Sequence, residues 1–263
     1  MQKIQNIKEL TDSAWKPAQF KKAAAQIYWE MLQESNSLRR GNFARIDTRD
    51  IEGLFDRYDE KFFQGCLRDA LSSLSHPLTF RLSGRMTRAG GKTTREESWQ
   101  GRRLLTRNYE IAISTTLLFQ TFKEDQSRAI VTGVPCMDRL QALQRIMEHE
   151  IIHLVEMMVW YHSDCFRKRF KSITARLFGH TESTHQLTTV DQRAMEQFGI
   201  QPGDIVGFQH DRQWLTGQVN RITKRATVLV ENAKGELFDD GKHYLTFYVP
   251  IQGLRPLNRR TAS

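Results

Sequence analysis

The chain is poor in cysteine, and what it has does not pair. Its 263 residues include three, Cys66, Cys136 and Cys165, far apart and odd in number. They form neither a C-x-x-C metal knuckle nor a disulfide framework, so a reducing compartment is expected. Long apolar runs are missing too, since no stretch approaches the roughly 20 uninterrupted apolar residues of a membrane span. The opening residues, MQKIQNIKEL, lack the apolar core of a secretory signal. These absences lead to the expectation of a cytoplasmic protein with no membrane partner. There is no internal repeat and no low-complexity tract. A phosphate loop is also lacking: GGKTT (90–94) ends like one, but the required Gly five residues before Gly91 is Met86. Nucleotide binding is not expected.

What is present is enough apolar material for a core and an excess of positive charge. Hydrophobic residues make up 39% and aromatics 10%, so an interior can pack without crosslinks. The length suits one large domain or a core domain with a small module. Lys plus Arg number 39 against 30 Asp plus Glu, a formal charge of +9 with a pI near 9.6. That excess favours polyanions such as nucleic acid, and a DNA-bound protein of this kind would sit at the nucleoid.

Periodicity predicts helices over residues 14–34, 50–71 and 138–161, the last with apolar residues from Leu140 to Met158 every three or four positions. A further helix over about 164–178 stops at Gly179. LTFRLSG (78–84) and YEIAIS (109–114) alternate as strands, with a hairpin or loop over 85–103, and TTLLFQTF returns to helix. From about residue 200, short β-rich runs separated by turn signals predict a small barrel.

Inside the longest helix stands H-E-x-x-H, at His149, Glu150 and His153. Two histidines four apart lie about 40° apart around a helix, so both rings can reach one ion. The intervening glutamate projects aside, where it could take a proton from water. The bland reading is a solvated stripe of Arg145, His149, His153 and Glu156. Against it, Ile146, Ile152, Val155, Met157 and Val159 make the flanks apolar, and enclosed imidazoles need partners.

These residues and several ordered segments resemble the SprT-like family of zinc metallopeptidases, which includes the Spartan proteases. LFDRYDEKFFQGCL is similar to the family's opening helix, and TFRLSGRMTRAGGKT to its first strand and following turn. YEIAISTTLLF, HEIIHLVEMMVW and THQL (184–187) follow in order, so the resemblance runs from about 51 to 190. It implies a zincin-like α+β fold, Zn2+ on His149 and His153, and Glu150 polarising the attacking water. It also implies that YEIAIS is an edge strand along which a substrate peptide could lie.

The third ligand departs from the family's pattern, because Phe166 stands where a histidine is expected. A continued helix would carry His162 half a turn out of phase with His153 and about 13 Å along the axis. A helix returning after a turn near Tyr161 brings His180 closest, so His180 is the expected ligand, with His162 and His185 as alternatives. The THQL context gives His185 a supporting role. Glu156 is read either as supporting the ligands or as a surface carboxylate, and Cys165 as a packed thiol.

Many family members end in a zinc ribbon, whose cysteines this chain lacks. Its last segment instead resembles an SH3-like, Tudor or KOW-type barrel. There Arg221, Lys224 and Arg225, with Trp214, Tyr244, Phe247 and Tyr248, could form a nucleic-acid surface, or be ordinary core aromatics and soluble turns. The expected organisation is a helical segment over 1–50, a zincin-like domain over 51–196 and a barrel over 200–258. The expected function is a zinc-dependent peptidase acting on protein or peptide, with DNA-associated protein and DNA–protein crosslink repair suggested by family analogy and charge. Its rivals are a catalytically inactive, metal-stabilised binding scaffold and a zinc hydrolase with a non-protein substrate.

Overall fold

A computed structural model describes residues 2–123, 128–223 and 225–257. The chain divides into two compact units, Met1–Leu187 and Thr188–Ser263. The division differs from the expected boundaries at both ends. The first 50 residues share the core of the first unit, and the helix just before residue 200 belongs to the second.

The first unit runs α1 (Gln2–Thr11), α2 (Pro17–Glu34), α3 (Thr48–Phe63), α4 (Cys66–Ser73), β1 (Leu78–Ser83), β2 (Gly91–Gln100) and β3 (Arg103–Ser114). Then follow α5 (Thr115–Thr121), β4 (Ala129–Val131), β5 (Val134–Cys136), α6 (Arg139–Trp160) and α7 (Lys168–Phe178). This is a mixed helix-and-sheet protein, in line with the coarse α+β expectation. No helix among the described residues is long and apolar enough to cross a membrane.

The single helix expected over 50–71 is two. Gln64 and Gly65 both adopt left-handed backbone, with φ of 55° and 74°. The buried Asp59 carboxylate restarts the helix by accepting the N–H groups of Leu67 and Arg68, at 3.0 and 2.8 Å.

The three-stranded sheet has the order β1-β3-β2, with β1 parallel and β2 antiparallel to β3. YEIAIS therefore occupies the central strand, and the expectation that it is an edge is corrected. Its burial explains the placement, because Ile111, Ala112 and Ile113 are enclosed in succession and need cover on both sides. The edge beside α6 is β2, which arises from the segment read as a hairpin or loop.

Helix α6 begins at Asp138, whose carboxylate caps Gln141 N and accepts the Tyr28 hydroxyl. It ends at Tyr161, in left-handed backbone with φ 59°. Without glycine there, outside contacts hold the turn. Arg95 donates to Tyr161 O at 2.9 Å, and the Arg107 guanidinium lies 5.1 Å from the Tyr161 ring centre.

One face of α6 buries a polar cluster. Glu148 accepts from the Tyr58 hydroxyl at 2.7 Å, Arg145 at 2.8 Å and His180 Nε2 at 2.7 Å. Burial pushes the His180 pKa down despite the carboxylate, so its imidazole is neutral and donates as an ordinary N–H.

The second unit contains α8 (Val190–Phe198), β6 (Ile205–His210), β7 (Gln213–Ile222), β8 (Ala226–Leu237), β9 (His243–Val249) and β10 (Arg255–Pro256). Its strands form an antiparallel sheet in the order β10-β6-β7-β8-β9. Val190 and Ala194 of α8 join Val206, Phe208, Val219 and Val228 in its core, which is why that helix goes with this unit.

The buried cluster yields a stability prediction. Glu148→Ala leaves Arg145 without its counter-charge in the interior and should cost about 3–5 kcal/mol. Tyr58→Phe removes one of three donors and should cost about 1 kcal/mol. Urea unfolding monitored by circular dichroism would measure both, and equal losses would contradict the assignment of Glu148 as the hub.

Candidate metal centre

His149 and His153 share a face of α6, and their Nε2 atoms stand 3.1 Å apart. That separation lets one ion touch both nitrogens at the usual distance of about 2.0–2.1 Å. Phe170 of α7 packs over the pair, with ring centres 4.8 and 4.6 Å away. Burial, with further contributions from neighbouring histidines, lowers the His149 pKa to about 3, and burial lowers that of His153 to about 4. Both rings are neutral, the form that ligates metals.

A hydrogen-bond chain fixes one tautomer. The Ser163 hydroxyl donates to Glu156 Oε2 at 2.7 Å, because the carboxylate can only accept. Ser163 Oγ must therefore accept from His153 Nδ1–H, also at 2.7 Å. His153 Nε2 is left with its lone pair aimed at His149. Glu156 is fully buried and also binds Asp164 N at 3.3 Å and Arg169 Nε at 2.6 Å. It fastens the loop after α6 beneath the histidine pair, so the surface reading of Glu156 is set aside. His149 Nδ1 is buried and makes no hydrogen bond among the described residues.

That loop delivers the third donor. His149, His153 and Cys165 offer atoms that all lie within 4.8 Å of one another. Cys165, read from sequence as a packed thiol, is the residue brought to the pair. His180, the expected third ligand, is not. Its Nε2 is held by Glu148 on another face of α6, and Phe170, rather than the end of α7, covers the metal face. Helix α7 does return past the histidine pair, but its far end carries His180 to the Glu148 carboxylate instead. His162 is exposed and holds Arg169 through its carbonyl. His185 lines the same cleft, with Nε2 accepting Gly90 N–H at 3.0 Å, but it is outside the group of three.

Glu150 is buried beside the pair. Burial raises its pKa to about 7, against the opposing hydrogen bond from Thr93 Oγ1 at 2.8 Å. Gly91 makes room for it, since a Cβ there would lie 2.5 Å from Glu150 Oε1. The cleft over these groups measures about 590 Å3 and is lined by Gly91, Lys92, Thr93, His149, Glu150, His153, Cys165 and His185 among others. Its volume falls within the ordinary range for ligand sites.

The donor set suits a transition metal. Two neutral imidazoles and a thiol can supply three of four tetrahedral positions, leaving one open. The 4.8 Å spread exceeds that of a filled shell, so binding would draw Cys165 inward.

In the second unit, Trp214 and Tyr248 are exposed, Tyr244 and Phe247 half-buried, and Arg221 and Arg225 exposed, while Lys224 lies outside the described residues. No protein-family profile, curated protein or solved structure matches this chain.

Zinc competition against a chromophoric chelator tests the ligand set. His149→Ala, His153→Ala and Cys165→Ala should each abolish or strongly weaken a single site, whereas His180→Gln should retain it. Ser163→Ala should weaken it roughly 10- to 100-fold, the usual cost of losing a group that orients a ligand.

Proposed function

We propose that the first unit is a zinc-dependent peptidase with a zincin-like arrangement, in which His149, His153 and Cys165 hold the ion and Glu150 is the general base. The observation that carries this reading is the juxtaposition of paired Nε2 atoms 3.1 Å apart with a buried carboxylate of raised pKa on the same helix. The ordered SprT-like segments support it, as does the N, N, S donor set, which favours zinc over magnesium or calcium. When bound, such an ion supplies Lewis acidity toward a carbonyl oxygen and makes a water molecule more acidic.

The protein's own groups do the rest. Glu150, with one oxygen held by Thr93, takes a proton from the attacking water and can pass it to the leaving amine. The Arg169–Glu156–Ser163 chain keeps His153 in its binding tautomer. Substrate would enter along β2, the edge strand whose residues 91–93 line the cleft beside Glu150. An extended peptide can pair with the main chain at a free edge, which selects polypeptide over compact small molecules. Protein held on nucleic acid is the substrate class that the basic composition favours.

Two variants test the proposal. Glu150→Gln should retain zinc and lower hydrolysis of unfolded protein roughly 10²- to 10⁴-fold, the usual worth of a general base. Gly91→Ala should displace the Glu150 carboxylate and lower turnover with little loss of metal. Full activity in Glu150→Gln, measured by release of labelled peptides, would leave a metal-stabilised scaffold as the better reading.

A further inference from the structure

The strands β2 and β3 outrun the sheet to which they belong. β1 pairs with β3 only from Tyr109 to Ser114, so Glu96–Asn108 continues as a two-stranded ribbon. Five residues of β2 and six of β3 carry it about 17 Å past the end of β1. The turn is Gly101 and Arg102, closed by the Gln100–Arg103 pair, with Gly101 at φ 60°. A bulge at Leu105 separates the Ser98–Thr106 and Trp99–Leu104 pairs.

Isolated two-stranded ribbons are marginal in water, and the base of this one is fastened. Glu97 bridges Arg95 at 3.2 Å and Arg107 at 2.7 Å, while Arg95 also reaches the carbonyls at the end of α6. The tip takes no part in that clamp beyond the Trp99 indole N–H, which donates to Glu97 at 3.2 Å. Trp99 is 53% exposed and Leu105 52% exposed. Arg102 and Arg103 are exposed and have no carboxylate partner among the described residues; the same is true of Lys92 and Arg88 at the cleft.

Charge is concentrated here. Residues 84–108 contain seven basic and two acidic side chains, a net +5 of the chain's +9. Residues 188–263, where the nucleic-acid surface was expected, contain ten basic and eight acidic, a net +2.

We propose that the β2–β3 ribbon is a binding arm for single-stranded nucleic acid, with a base stacked on Trp99 and phosphates held by Arg102 and Arg103. Stacking on an exposed aromatic beside cations is the sequence-tolerant way to hold unpaired bases. Exposed cations stand at both ends of β2, Arg102 and Arg103 at the turn and Lys92 and Arg88 at the cleft about 26 Å away. A flexible polyanion held at the tip is therefore long enough to arrive at the candidate cleft by spanning the ion-paired base of the ribbon. An anionic bilayer is the less favoured occupant. The tip has only two large exposed apolar side chains set among Ser98, Gln100 and Thr106, and a flat surface would not reach Lys92. The inference goes beyond the hydrolase reading and needs neither metal nor turnover.

The test is fluorescence anisotropy of a labelled 20-nucleotide deoxythymidine strand with the full-length chain over a series of salt concentrations. Trp99→Ala should weaken binding roughly 5- to 150-fold, the range expected for one stacked base. Arg102→Ala with Arg103→Ala should flatten the slope of log affinity against log salt by about 1.4, or about 0.7 for each lost phosphate contact. Arg221→Ala with Arg225→Ala should change neither. Unchanged affinity and slope in the tip variants would overturn the proposal, as would loss of binding in the Arg221 and Arg225 variant alone. So would tip-dependent binding to phosphatidylserine vesicles without tip-dependent binding to the oligonucleotide. All substituted positions are exposed, and circular dichroism would verify that each variant is folded.

Discussion

A buried carboxylate must find donors or change its protonation, and α6 encloses three of them. Glu148 is satisfied by Tyr58, Arg145 and His180, which ties the helix to α3 and to the end of α7. Glu156 is satisfied by Ser163, Asp164 N and Arg169, which folds the following loop back under the histidines. Glu150 is held by Thr93, through its hydroxyl and its backbone, but has no cationic partner to offset its burial, and its pKa rises to about 7. The two well-compensated carboxylates build the frame, and the less compensated one stands beside the histidine pair with a raised pKa.

The second requirement of the site is close approach of a strand to that helix. Gly91 lets β2 lie against the Glu150 carboxylate, and Thr93 on the same strand supplies its hydrogen bond. The strand thus serves at one end as a wall of the cleft. At the other it becomes half of a ribbon clamped by Arg95, Glu97 and Arg107. Cleft and ribbon tip are linked by one continuous extended backbone.

Much of this is legible in the sequence. The period of α6, the His149–Glu150–His153 spacing, the stop at Gly179 and the change of texture from about residue 200 are local signals, carried by residues a few positions apart. The segment 85–103 was harder, because its polar, glycine-rich composition suits a loop as well as an exposed ribbon strand. The break at Gln64–Gly65 is not legible in the sequence, because its cause, the Asp59 carboxylate, acts through buried hydrogen bonds rather than through composition.

By itself, the sequence determined which helix presents the paired imidazoles and which glutamate stands beside them, since a 100° turn per residue leaves no freedom in that relation. It also determined that the chain is basic and that its cysteines do not form a framework. Only the tertiary structure decided that Cys165 meets the histidines and His180 does not, that β3 is central and β2 the edge, and that unpaired charge gathers on the ribbon. Those outcomes depend on the direction in which chain segments return after a turn. That direction is set by the partners a distant buried charge requires, such as Glu148 for His180 and Glu156 for the loop bearing Cys165, and short-range spacing does not encode it.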